Sequence, residues 1–433
     1  MQKRYQLVVV FVIFAVITYL DRNSISSVGS MITDELGLDD IQWGLILSAF
    51  SLAYGAFEIP TGIMVDKIGP RRTMFRIVLW WSAFTIITGF ATGFKLGSMA
   101  IGAFYVLIVV RFLFGAGEAG AFPTASVAIG RWFPLKERGG IQSIMWMGSR
   151  LGGALAPLLS IYLADLYGWR AVFWIFGSLG VLWAIYWWFW FKDEPRDMPN
   201  ISPEEVALIE AERSIKKPSH KLLPWKTVFS NRSVWGLMLM YHCLLYGAYF
   251  YMSWMPKYLE KGRHIPKEDL GWMVSLPFVL GMGGCLLGGF ASDYFAKRRG
   301  LTFGRRYVGM LGLCMAGICM IIGSFIKDNN VAIVFLGLGL AFKDFTLPVS
   351  WAAATDIGGK YAGSVAGTMG LAGQLGSVVM ASAFGYILTQ TKLWYGQADY
   401  ELPVRIIGVI VSLGGLLWFM VDAGKPIVVD DED

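Results

Sequence analysis

An aspartate and an arginine stand side by side at Asp21-Arg22, inside an apolar run reaching from about Tyr5 to Gly29. At membrane depth each costs on the order of a few kcal/mol, so such a pair points to a function. Helical spacing puts Tyr19, Arg22 and Ser26 on one face, with Asp21 about 100° round. A cation on that stripe with an acid beside it suits an anion site coupled to a proton. Arg111 and Glu118, seven apart, share a face about 10 Å apart along a helix axis, with Phe114 and Gly115 between them. Burial favours the protonated form of a carboxyl and a nearby cation favours the ionised form. Glu118 can therefore carry a proton if its cation switches to a substrate carboxylate. Tyr54 and Glu58, four apart, add a hydroxyl and a second acid on one face.

Arg150 lies within Gly148-Ser149-Arg150-Leu151-Gly152-Gly153. Its planar fork of donors fits a carboxylate or a phosphate. With Arg22 it would give two anion anchors; the alternative is that it neutralises an internal acid. Tyr246 and Tyr249 share a stripe on which hydroxyls could meet sugar hydroxyls, while His242 beside them reads as a packing residue. Lys343-Asp344 is expected to pair with other helices.

The elements that must position these groups follow from composition. The 433 residues are 55% hydrophobic and 16% charged, well below the roughly 25% charge of a soluble protein, and mean hydropathy is +0.54. Apolar runs near 20 residues recur along the chain, as in a polytopic helical membrane protein. Twelve spans are expected, the second and third at 43–65 and 73–93, the fourth at 99–130. The long polar segment divides them into an N-terminal six-helix bundle, 1–191, a cytoplasmic linker, 192–232, and a C-terminal six-helix bundle with its tail, 233–433. Ser202-Pro203-Glu204-Glu205 reads as the start of a short linker helix.

Lys and Arg favour inside loops when both termini are cytoplasmic, and the loop with Asp34, Glu35, Asp39 and Asp40 is then outside. The loop carrying Lys257, Lys261, Arg263 and Lys267 runs against that pattern. The net charge of +6 therefore belongs to cytoplasmic loops and not to a nucleic-acid footprint. Cys243, Cys285, Cys314 and Cys319 lack metal-ligand spacing and read as small apolar residues, so no metal is expected. The first apolar run is too long and too charged for a cleaved signal peptide.

The halves repeat each other. Gly62-Ile63-Met64-Val65-Asp66-Lys67-Ile68-Gly69-Pro70-Arg71-Arg72 follows span 2, and Gly289-Phe290-Ala291-Ser292-Asp293 with Lys297-Arg298-Arg299 follows span 8. Glycine would let two helices approach closely, and the aspartate would cap a neighbouring helix or pair with arginine. Gly62, Asp66, Arg71, Arg72, Asp293 and Arg298 are thus expected in gating loops.

This pattern resembles the major facilitator superfamily. Tyr19-Leu20-Asp21-Arg22, Arg111 through Glu118 to Pro123, and Trp351 to Gly367 resemble its anion:cation symporter family, which includes bacterial galactonate, glucarate and hexuronate transporters. The resemblance implies an all-α integral membrane fold with two pseudo-symmetric halves and no enzymatic activity. It implies that Asp21 and Glu118 form the proton-binding pair, with Arg22 and Arg111 partnering them and the substrate. It also implies substrate contacts from Tyr19, Tyr54, Ser350 and Trp351. Gly370 stands where the family often has an asparagine, and Gln374, one turn on, could replace that amide.

The expected function is proton-coupled symport of an organic anion, a sugar acid such as a hexonate, hexuronate or aldarate, by alternating access. An organophosphate:phosphate antiporter or a non-transporting sensor on the same fold are the alternatives. No cofactor is expected beyond the proton motive force, with sodium less favoured. A monomer in the cell (inner) membrane is expected, its partners being the anion, protons and the bilayer. No Walker loop, HExxH or nucleophile triad is present.

Overall fold

In lipid every backbone polar group must be satisfied within its own segment, so apolar runs of this length become helices. The computed structural model describes residues 2–92, 94–96, 99–211, 229–358, 362–425 and 427. The helices are α1 (Lys3–Ser27), α2 (Gly29–Leu36), α3 (Asp40–Thr88), α4 (Ala103–Glu118), α5 (Ala121–Trp132), α6 (Leu135–Tyr167), α7 (Trp169–Trp190), α8 (Pro203–Ala211), α9 (Arg232–Ser253), α10 (Lys267–Arg299), α11 (Leu301–Phe325), α12 (Asn329–Gly358), α13 (Ala362–Tyr395) and α14 (Glu401–Leu416). Among the described residues nine helical stretches are long and apolar enough to cross a membrane. The two arms of α3 and α9 complete the twelve spans of the fold.

Three local features differ from the sequence reading. Spans 2 and 3 run through one continuous element, α3, broken only at Gly69 (φ 80°, ψ 162°). Residues 99–101 are not helical; Met99–Ile101 pairs antiparallel with Phe94–Leu96, with Lys95 opposite Ala100, in a two-stranded hairpin. The fourth span is two helices, because Ala119 is extended and Gly120 has φ 80°.

The chain forms two compact units, Met1–Leu38 with Ala49–Ser219, and Asp39–Ser48 with His220–Asp433. In the first, α6 lies against α1 through Gly152, where a Cβ would come within 2.6 Å of the Val16 carbonyl and 2.9 Å of Tyr19 Cβ. Small residues at such crossings let backbones approach in a membrane. That contact fixes the part of α1 bearing Tyr19 and Arg22. The linker helix α8 begins at a capped turn, Ser202 Oγ accepting from the Glu205 N–H at 3.2 Å. Its Glu205 carboxylate accepts from the Lys3 and Arg4 N–H groups at 3.1 and 2.9 Å, placing negative charge at the start of α1. The second unit holds the first turns of α3: Asp40 accepts from Lys257 at 2.7 Å, and Ser48 Oγ lies 2.7 Å from Ser382 Oγ.

The internal repeat has a structural counterpart in each unit. Gly69 before α3's second arm and Gly300 before α11 (φ 90°, ψ 159°) adopt the same backbone, essentially reserved for glycine. Just beyond each, an aspartate that follows the unit's last long helix binds the first turn of the new helix. The Arg71 N–H donates to Asp193 Oδ1 at 2.8 Å, and the Thr302 hydroxyl donates to Asp422 Oδ1 at 2.6 Å.

Candidate functional site

The first unit gathers the charged groups of α1 and α4. Arg22 donates from Nε to Glu118 Oε1 at 3.0 Å, and its Nη2 shares the same oxygen. Its guanidinium faces the rings of Tyr19, Phe50 and Tyr54, with centroids at 5.2, 5.1 and 5.1 Å. Arg111 lies against Phe50 at 5.1 Å and Phe114 at 4.5 Å. Asp21 turns aside from this aromatic box: its Oδ2 accepts from Trp81 Nε1 on the second arm of α3 at 3.0 Å. A Cβ on Gly180 of α7 would lie 3.6 Å from the same oxygen. The Glu118 side chain is 1% exposed and that of Arg22 13%, so the cation is the more accessible partner.

The break after α4 positions Glu118. It is the last residue of that helix, and Gly120 leaves no room for a side chain, since a Cβ there would meet Thr61 Cβ at 2.5 Å. Arg150 is half-buried on α6, one turn beyond Trp146, and Glu58 is half-buried on α3.

Several contributors lie outside the sequence reading. Trp81, the donor to Asp21, is sixty residues away in the chain, and no local signal links the two. Phe50 underlies both arginines, although its apolar type alone marks it only as core. Phe122 stacks on Trp146 at 4.4 Å with 8° between the planes, and meets Tyr19 edge-on at 6.4 Å.

The expected residues of the second unit are less uniformly presented. Tyr246 is buried, and Ser350 is fully buried, with its hydroxyl donating to the Thr346 carbonyl at 2.9 Å. Trp351 is 44% exposed and stands edge-on to Tyr241 at 6.1 Å. His242 Nδ1 lies 3.0 Å from the Ala372 carbonyl, a packing role. Gln374 is half-buried on α13, and at Gly370 a Cβ would meet nothing within 4 Å. Lys343 pairs with its neighbour Asp344.

The repeated loops depart in detail from the sequence reading. Among the described residues a Cβ at Gly62 would meet nothing within 4 Å, and Gly69 is the glycine whose backbone the turn requires. The Asp66 side chain lies outside the described residues. Arg71 donates to the Trp188 carbonyl at 3.1 and 2.6 Å and lies over that ring, while Arg72 is exposed. Asp293 pairs with Arg305 at 2.8 Å, and Arg305 also reaches Asp356 at 3.0 Å. Arg298 instead lies over the Tyr294 ring at 4.5 Å.

Buried charge of both signs on broken and tightly crossed helices is the geometry of a membrane transport site. The sequence profile of the Major Facilitator Superfamily matches residues 11–381. The chain belongs to the Major Facilitator Superfamily. It is a multi-pass membrane transporter and not an enzyme. Among relatives of this superfamily protein, a probable sulfoacetate transporter, SauU, of Cupriavidus necator is 34% identical, the match covering 95% of this chain and 92% of that one. A probable galactarate/D-glucarate transporter, GudP, of Bacillus subtilis is 29% identical over 93% of this chain and 90% of its own. A crystal structure of a bacterial homologue of the human lysosomal transporter Spinster shares the fold, with a TM-score of 0.75 at 18% identity and 96% of each chain covered.

Proposed function

We propose that this transporter is a proton-coupled symporter of a small organic anion, working by alternating access. The observation that carries this reading is the Arg22–Glu118 pair, in which an accessible guanidinium holds a buried carboxylate. A substrate carboxylate arriving at Arg22 competes with Glu118 for the same donors. A buried carboxylate that gives up its cation is stable only when a proton neutralises it. Anion binding and protonation of Glu118 thereby support each other. Asp21, held by Trp81 on the other side of α1, supplies the second proton-binding carboxylate. Tyr19, Tyr54 and Arg111 line or support the anion site, and Arg150, Tyr246, Trp351 and Gln374 are further candidates for substrate contact.

Sugar acids of the hexonate, hexuronate and aldarate type are candidate substrates, as is the sulfonated acetate for which the Cupriavidus relative is named. Driving force from the proton gradient, both termini in the cytoplasm, a place in the cell (inner) membrane and a monomeric state complete the proposal. The test is uptake of labelled glucarate, galactonate, glucuronate and sulfoacetate into proteoliposomes. Accumulation should require an inside-alkaline pH gradient and ignore a sodium gradient. Uptake that depends only on internal phosphate would replace symport with antiport.

A further inference from the structure

The aromatic contacts of the first unit continue past the arginine box. From Arg22 the line runs to the Tyr19 ring at 5.2 Å, to Phe122 at 6.4 Å, and to Trp146, stacked on Phe122 at 4.4 Å. Phe122 is buried beneath the indole, which remains 37% exposed, so the accessible face of Trp146 is the one turned away from Phe122. Trp146 precedes Arg150 by four residues and shares its face of α6. A guanidinium at membrane depth turns to the protein interior or to a water-filled cavity and not to lipid tails. The exposed indole therefore faces the same side as Arg150. One turn earlier on this stripe, the Gln142 amide is already engaged, donating to Ser126 Oγ at 3.0 Å.

We propose that Trp146, held by Phe122, is a specificity-determining wall of the anion site, and that the site takes hydroxyl-poor organic dianions in preference to polyhydroxylated ones. This rests on the anion-symport reading above. The strip from Tyr19 to Trp146 begins at the Arg22 guanidinium, and Arg150 stands beside it, between Trp146 and the level of Tyr19, where α6 and α1 run in the same direction past Gly148 and Gly152. A ligand with one anionic group at Arg22 and a second at Arg150 would lay its remaining carbons against the rings. Methylene carbons gain contact there, whereas a hydroxyl turned onto the indole loses water without a partner in return. The second anionic group is a carboxylate or a sulfonate, since a guanidinium fork accepts either.

The test compares two six-carbon dicarboxylates of equal charge, adipate without hydroxyls and glucarate with them, as inhibitors of labelled sulfoacetate or glucarate uptake into proteoliposomes. Adipate should inhibit the wild-type protein at a concentration at least about tenfold lower than glucarate, a difference of about 1.4 kcal/mol. Trp146→Gln should bring that ratio close to one, and Trp146→Phe should keep it. Glucarate equal to or better than adipate on the wild-type protein overturns the proposal without need of any variant. So does an unchanged ratio in folded Trp146→Gln, or in Trp146→Tyr if the glutamine form is not recovered folded. Absence of uptake of every labelled anion by the wild-type protein would instead remove the symport reading itself.

Discussion

Arg22 and Glu118 meet through a single oxygen: Nε of the arginine reaches Oε1 at 3.0 Å and Nη2 donates to that same atom. The other carboxylate oxygen, Oε2, is buried without a hydrogen-bond partner among the described residues. Arg22 thus supplies the hydrogen bonds to Glu118 through one oxygen only. Arg22→Gln should strand the carboxylate at a cost of about 3–5 kcal/mol. A large drop in thermal stability in detergent is expected, partly restored in the Arg22→Gln/Glu118→Gln double variant. Equal melting temperatures for the single variant and the wild type would contradict this pairing.

Glu118→Gln keeps the shape of the site but removes the proton carrier. It should abolish accumulation driven by a pH gradient while retaining exchange of labelled for unlabelled anion. The two assays on the same proteoliposome preparation separate loss of coupling from loss of binding. Concentrative uptake that survives in this variant would move the proton role to Asp21 alone.

Arg150→Gln should penalise a dianion such as glucarate more than a monoanion such as gluconate. Loss of a charge-assisted contact to a desolvated anionic group costs roughly 2–5 kcal/mol, which corresponds to more than about thirtyfold in affinity. Competition curves for both ligands on one preparation give the ratio directly. Equal losses for both would mean that Arg150 balances an internal acid.

Gly120→Ala asks a side chain to adopt φ 80° while its Cβ meets Thr61 at 2.5 Å. Backbone strain of this type costs about 1–3 kcal/mol before any steric term. Because the same turn ends α4 at Glu118, both melting temperature and pH-driven uptake should fall together. Gly62→Ala, at a position with open space, should change neither.

At the end of α2, Glu35 accepts from Arg170 at 2.6 Å and from the Trp169 indole at 2.7 Å. These hydrogen bonds, Arg170 first, hold its carboxyl below the usual glutamate range. A depressed carboxyl contributes stability that is fully present above its unfolded value and is lost as pH falls through the folded one. The wild-type protein should therefore lose thermal stability on acidification below about pH 4.3, the ordinary glutamate value. Glu35→Gln should show a shallower acid limb, read from melting temperature against pH; identical limbs would remove Glu35 from that dependence.

What the sequence by itself determined follows from one-dimensional physics. Long apolar runs must be helices in lipid, and the cost of charge there marks Asp21, Arg22, Arg111, Glu118 and Arg150 wherever the helices go. Seven-residue spacing put Arg111 and Glu118 on one face of α4 before any packing was known. The repeat was legible as Gly62 to Arg72 and Gly289 to Arg299, but the glycines whose backbone the turns require, Gly69 and Gly300, stand out only in the structure. Other relationships depend on which helices cross. Nothing near Asp21 names Trp81, sixty residues on, as its partner. The cap on Arg71 comes from Asp193, over a hundred residues later. The stack of Phe122 on Trp146 likewise joins two helices whose residues read separately as ordinary apolar positions. Helix periodicity fixes which side chains share a face, but the partner of that face is chosen by tertiary packing, where a close crossing at Gly152 or a break at Gly120 shifts every contact around it.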